Sequence, residues 1–138
     1  MDFKKIKIEI TVKKPIEKVW KFWTQPKHIT KWNFASDEWH CPKAVNDLKK
    51  DGDFSFTMAS KDGKISFDLG GVYHKIIKNK QISYALDDGR KVDTHFRDEE
   101  KTTKISTVFE AENTNPIEMQ KSGWQSILGN FKKYAEKH

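Results

Sequence analysis

The rhythm of apolar and polar positions changes three times along this chain. From Phe3 to Lys13, Ile6, Ile8, Ile10 and Val12 fall on alternate positions, with Lys, Glu or Thr between them. A period of two predicts a half-buried strand. Pro15 ends that strand and suits the first position of a helix, within which Ile16, Val19, Trp20 and Trp23 recur at helical spacing. Pro26 stops this helix and opens a second short one carrying Ile29 and Trp32. Two short helices joined by Thr24-Gln25-Pro26 are therefore expected.

From Lys43 to Glu112 the period returns to two. Phe54/Phe56/Met58, Ile65/Phe67/Leu69, Ile82/Tyr84/Leu86, Val92/Thr94/Phe96 and Ile105/Thr107/Phe109 alternate with mostly polar neighbours. Asp51-Gly52, Asp62-Gly63 and Asp88-Gly89 read as hairpin turns, and Asn79 marks a fourth break. About six consecutive antiparallel strands follow from this spacing. Gly70-Gly71, inside the longest of them, predicts a bulge or sharp bend of the kind that curls a sheet. After Asn113-Thr114-Asn115-Pro116 the period becomes helical again, with Met119, Trp124, Ile127, Leu128, Phe131 and Ala135 on one stripe. Strand, two short helices, meander and long helix make an α+β chain, with the last helix lying against a curved antiparallel sheet.

Composition changes this picture little. With 138 residues and no linker, repeat or low-complexity stretch, residues 1–138 are expected to form one domain. Leu, Ile, Val and Phe account for 31 residues, about 22%, just above the roughly 20% below which chains tend to be disordered. The 17 aromatic residues supply the missing apolar area. The net charge of +6 invites a nucleic-acid reading, but it is carried by 24 lysines and only two arginines, Arg90 and Arg97. Lysine is a hydrated point charge without the guanidinium fork that grips phosphate or guanine. The lysines are also interleaved with acids, so the charge describes a solubilising surface rather than a nucleic-acid face. A lone cysteine, Cys41, allows no intrachain disulfide. No signal-peptide pattern opens the chain and no apolar run is long enough to cross a bilayer. A cytoplasmic protein with no membrane partner is the resulting expectation.

Several stretches then carry a resemblance. They are Pro15-Ile16-Glu17-Lys18-Val19-Trp20, Ile29-Thr30-Lys31-Trp32, Asp47 to Phe54 leading to Met58, Gly71-Val72-Tyr73-His74-Lys75-Ile76, and Ser122-Gly123-Trp124-Gln125-Ser126-Ile127-Leu128. In this order the chain, from about Phe3 to Tyr134, resembles the START-like or SRPBCC superfamily. Within it, the chain is similar to proteins like the C-terminal domain of the activator of Hsp90 ATPase. The resemblance implies a helix-grip fold: about seven antiparallel strands curled round the last helix, enclosing an apolar cavity. Where the family pattern commonly has two glycines, this chain has Asp51-Gly52. The superfamily hosts lipid carriers, cyclases and receptors, so fold alone does not name a function.

On that fold, Phe56, Met58, Phe67, Tyr84, Phe96, Trp124 and Leu128 are the candidate cavity lining, with Trp32 and Trp39 where such a fold opens. Each is equally compatible with plain core packing. Trp20 and Trp23 read as core. No His, Cys or carboxylate spacing matches a metal site, and no phosphate loop, dinucleotide fingerprint or nucleophile elbow is present, so neither metal nor cofactor is expected. His40 and Cys41 are adjacent, and on an extended chain point to opposite faces. Asp37-Glu38, Asp87-Asp88 and Asp98-Glu99-Glu100 fall in expected turns, where nothing buries them. His95 should face outward; the facing of His74 is open.

Three functions fit. The first is a module that binds a small hydrophobic or aromatic ligand in the cavity. The second is an enzyme of the polyketide cyclase or dehydratase type, with Tyr84, His74 and Thr94 as the polar groups nearest the pocket. The third is a regulatory domain that contacts a chaperone. The first follows most directly from the fold that the resemblance implies, together with the aromatic content.

Overall fold

The computed structural model describes residues 4–138. The first strand, β1, spans Lys5–Val12; the expected start at Phe3 lies outside the described residues. It is followed by α1 (Ile16–Thr24) and α2 (Pro26–Trp32), then β2 (Trp39–Asn46), β3 (Asp53–Ser60), β4 (Ser66–Ile77), β5 (Gln81–Leu86), β6 (Lys91–Glu99), β7 (Thr102–Glu110) and α3 (Ile117–Lys137). The strands form one antiparallel sheet in the order β1-β7-β6-β5-β4-β3-β2. The meander therefore runs back across the sheet and its last strand pairs with β1.

Local chemistry explains the joints. Pro15 precedes α1 with its carbonyl accepting the N–H groups of Lys18 and Val19. Pro26 occupies the first turn of α2, where a missing N–H costs nothing. The turns between β3 and β4 and between β5 and β6 place Gly63 and Gly89 at φ of 78° and 91°, a region that glycine enters without steric cost. Asn79 takes the same region between β4 and β5.

Gly70 and Gly71 stay in regular register, opposite Ser55 and Phe54. The irregularities lie elsewhere, between Tyr73 and Lys75 on β4 and between His40 and Lys43 on β2. Gly71 has another reason to be glycine. A Cβ there would lie 2.3 Å from the Ala85 carbonyl oxygen and 2.9 Å from Cζ of Phe54, so the Phe54 ring lies over its backbone.

The core is densest where α1 and α3 meet β1, β6 and β7. Val12, Val19, Ile105, Phe109, Phe131 and Ala135 have almost no solvent exposure. The α3 stripe is narrower than its sequence suggests: Leu128, Phe131 and Ala135 are buried, but Met119 is 64% exposed. Backbone contacts of α3 are with β1, α1 and α2, with no comparable approach to β3, β4 or β5. The curled sheet therefore meets the helix at one end and stands away from it at the other. No helix among the described residues is long and apolar enough to cross a membrane.

Candidate ligand-binding site

The gap between α3 and the far strands is a cavity of about 260 Å³. Alternation builds most of its wall. Phe54, Phe56 and Met58 point inward from β3, and Phe67, Leu69 and Tyr73 from β4. Ile82 and Tyr84 come from β5, Thr94 from β6 and Thr107 from β7. Trp124, Ile127 and Leu128 close it from α3, and Trp23, Ile29, Trp32 and Asn33 from the two short helices. Phe67, 50% exposed, marks where the cavity reaches the surface.

The rings hold one another in place. Phe54 stacks on Phe56 at 5.0 Å between centroids and meets Tyr84 edge-on at 4.9 Å. Trp124 lies parallel to Phe109 at 4.1 Å, fixing the helix side of the wall to β7. Trp32 is fixed by its indole, whose Nε1 donates to the Phe22 carbonyl at 2.9 Å. Wall side chains locked by packing keep a cavity open, because collapse would break contacts already made.

Most polar groups of the wall are satisfied internally. The Tyr73 hydroxyl donates to Asn46 Oδ1 at 2.5 Å, and Asn46 Nδ2 donates to the Thr24 carbonyl at 2.7 Å. The Thr24 hydroxyl donates to the Trp20 carbonyl at 2.7 Å. The hydroxyls of Thr94 and Thr107 are 3.0 Å apart and bond to each other. Burial pushes the phenols of Tyr73 and Tyr84 well above their ordinary range. For Tyr84 the Arg90 guanidinium pulls the other way, but burial dominates. Both tyrosines therefore remain protonated near neutrality. Among the described residues, no histidine, carboxylate or thiol lines the cavity.

Of the nine residues singled out from the sequence, Trp32, Phe56, Met58, Phe67, Tyr84, Trp124 and Leu128 line this cavity. Phe96 does not. It is buried behind the wall, edge-on to Trp20 at 5.4 Å and to Trp23 at 5.5 Å, because α1 covers this part of β6. Trp39 sits outside as well, against Phe67 at 6.0 Å, in a shallow depression that shares Met58, Phe67, Trp124 and Ile127 with the cavity. Conversely Trp23, read as core, reaches the cavity.

Among the polar candidates, Tyr84 and Thr94 face inward, whereas His74 and His95 are exposed. Cys41 is buried and donates to the Lys43 carbonyl, and burial raises its thiol further from ionisation. The acidic pairs at Asp37-Glu38 and Asp87-Asp88 and the run Asp98-Glu99-Glu100 are exposed. Among the described residues, no group of three or more His, Cys, Asp or Glu is placed to hold a metal ion.

Asn46, Tyr73 and Arg90 were not singled out. Arg90 had a readable signal: it shares the parity of Val92 and Thr94 and so falls on the inner face of β6. Tyr73 had one too: it shares the parity of Phe67 and Leu69 on β4, and the bulge comes only after it.

The fold agrees with that of similar chains. A family model described as activator of Hsp90 ATPase homolog 1-like protein matches residues 13–136. The chain belongs to that family. An AHSA1-like protein from Aeromonas hydrophila, solved by solution NMR, is 40% identical, with a TM-score of 0.91 over 97% of this chain and 93% of the other. A protein from Cytophaga hutchinsonii, also known in solution, is 54% identical, with a TM-score of 0.83 over 96% and 92%. A Nitrosomonas europaea protein shares the fold at 14% identity, with a TM-score of 0.82 over 96% and 94%. No curated protein matches the chain.

Proposed function

We propose that this member of the activator of Hsp90 ATPase homolog 1-like family is a cytoplasmic binding module for a compact hydrophobic or aromatic small molecule. The observation that carries the reading is the cavity between α3 and β3–β5, walled by rings that brace one another. Its volume lies just under the roughly 300–1,000 Å³ typical of small-molecule sites, which favours a ligand of one or two rings over a diacyl lipid. The wall supplies apolar surface and a few fixed hydroxyls, and its two phenols hold their protons. That chemistry suits holding a molecule better than moving its protons, so binding is preferred to a cyclase-like reaction.

The test is a heteronuclear NMR titration of the purified chain with a library of aromatic and short aliphatic compounds, paired with native mass spectrometry. Binding should shift the indole signals of Trp23, Trp32 and Trp124 and leave that of Trp20 in place. A library that moves none of the three, with no bound mass, would overturn the proposal.

A further inference from the structure

Among the polar side chains of the cavity wall, the Tyr84 hydroxyl, the two terminal nitrogens of Arg90, the side-chain amide of Asn33 and the indole N–H groups of Trp23 and Trp124 make no hydrogen bond to the described residues. The Tyr84 hydroxyl and the Arg90 guanidinium lie together. Tyr84 on β5 is directly opposite Val92 on β6, and Arg90 is two residues before Val92 on the same face. Asn33 ends α2, away from that strand pair.

Arg90 is the unusual one. Its side chain is only 13% exposed, and its Nε donates to Asp88 Oδ2 at 2.7 Å. Asp88 itself is 54% exposed, out in the β5–β6 turn. The carboxylate therefore holds one edge of the guanidinium from the solvent side, leaving the terminal nitrogens without a protein acceptor. A guanidinium carries donors only, and a protonated phenol offers one more. Donors that open onto the cavity without a protein acceptor are free to meet an acceptor on a bound molecule. A planar fork matches the two oxygens of a carboxylate, which a lysine at this position would not.

Resting on the reading of the cavity as a ligand site, we infer that its occupant is an amphipathic monocarboxylate whose acid group is gripped by Arg90 and Tyr84 and whose apolar body lies among Phe54, Phe56 and Trp124. The site has a polar end on the β5–β6 hairpin and an apolar end against α3. A neutral hydrocarbon would fill the apolar end and leave the guanidinium unmatched. A phospholipid would exceed the volume.

Naphthoate and naphthamide, alike in outline and different in charge, are the probes. Titrated into the intact chain and followed by the tryptophan indole signals, naphthoate should bind about tenfold or more tightly than naphthamide, the size of a charge-assisted hydrogen bond. In Arg90→Gln the preference should shrink to about twofold or less, and in Tyr84→Phe it should fall part of the way, naphthamide affinity changing little in either. The same spectra show whether each variant is folded, and the comparison of the two probes in the unaltered chain needs no variant. Equal affinity for the two probes, or a naphthoate preference that survives in folded Arg90→Gln, overturns the carboxylate inference and leaves the cavity reading standing. If neither probe binds, the carboxylate inference falls, and the cavity reading is decided by the library titration.

Discussion

The two ends of the curled sheet are built from the same alternating pattern and reach opposite outcomes. At the β1–β7–β6 end, inward residues such as Val12, Ile105 and Phe109 meet α1 and α3 directly and lose all contact with solvent. At the β3–β4–β5 end, Phe56, Leu69 and Tyr84 point inward in the same way but find no helix backbone within reach. The difference is made by where α3 lies, since it crosses near β1 and diverges from the far strands. One end is spent on stability and the other is left open as a cavity. Large rings at the open end do what a helix does at the closed one, by bracing each other across the gap.

Truncating one ring at each end should expose this contrast most strongly. Phe131 is fully buried on α3, edge-on to Trp23 and Trp32 at 4.9 Å each. Phe131→Ala should cost about 3–5 kcal/mol in unfolding free energy, because it removes the transfer energy of the ring and leaves a void in packed surroundings. Phe56 is only half-buried and already faces empty space. Phe56→Ala should cost less than half as much while enlarging the cavity. Urea denaturation of the two variants measures both, and equal losses would mean that the open end is as tightly packed as the closed one.

A smaller effect separates the two ends by pH. Tyr73 and Tyr84 belong to the open end, and burial raises both phenols above the ordinary value of 10.0. Their folded-state values exceed their unfolded ones, so the contribution is complete below pH 10.0 and declines as pH rises above it. The unfolded chain then releases protons that the folded chain retains. Each buried phenol should lower stability by about 1.4 kcal/mol per pH unit in that window. Tyr84→Phe should remove about half of this slope, which equilibrium unfolding at a series of alkaline pH values would show. An unchanged slope would mean that the Tyr84 phenol ionises as freely in the folded chain as in water.

The same contrast explains how far the sequence could be read. Element order, the proline joints and the glycine turns depend on neighbours a few residues apart, and they appear in the structure where the pattern places them. The inward face of each strand was equally legible, which is why Phe56, Met58, Phe67 and Tyr84 line the cavity, while Trp32, Trp124 and Leu128 reach it from α2 and α3. Which inward residues meet a helix and which meet a void depends on the path of α1 and α3 across the sheet, and no periodicity encodes it. Phe96 shows this: it faces inward as its parity demands, but α1 lies over it. Trp39 lies at the start of β2, beyond the bulge between His40 and Lys43, and falls in the neighbouring depression instead. Arg90 was hidden by composition rather than geometry, since one arginine among so many surface cations draws no notice until its side chain is seen to be enclosed.

The boundary between the two ends passes through Thr94 and Thr107, paired across β6 and β7 on the cavity floor. Their hydroxyls satisfy each other at 3.0 Å and both side chains are buried. Thr94→Val keeps the β-branched shape but leaves the Thr107 hydroxyl without its partner, at an expected cost of about 1 kcal/mol. Thr94→Val combined with Thr107→Val removes both polar groups together and should return stability to within about 0.5 kcal/mol of the original, since matched apolar replacement leaves nothing unpaired. Urea denaturation of the two single variants and the double one closes the cycle. If the floor hydroxyls serve only each other, the double variant should also bind naphthoate as the original does, because the carboxylate grip lies at Arg90 and Tyr84. A double variant that is stable but no longer binds would move the polar end of the site from the β5–β6 hairpin to the floor. The dividing line between the packed end and the open end would then itself be part of the ligand's contact surface.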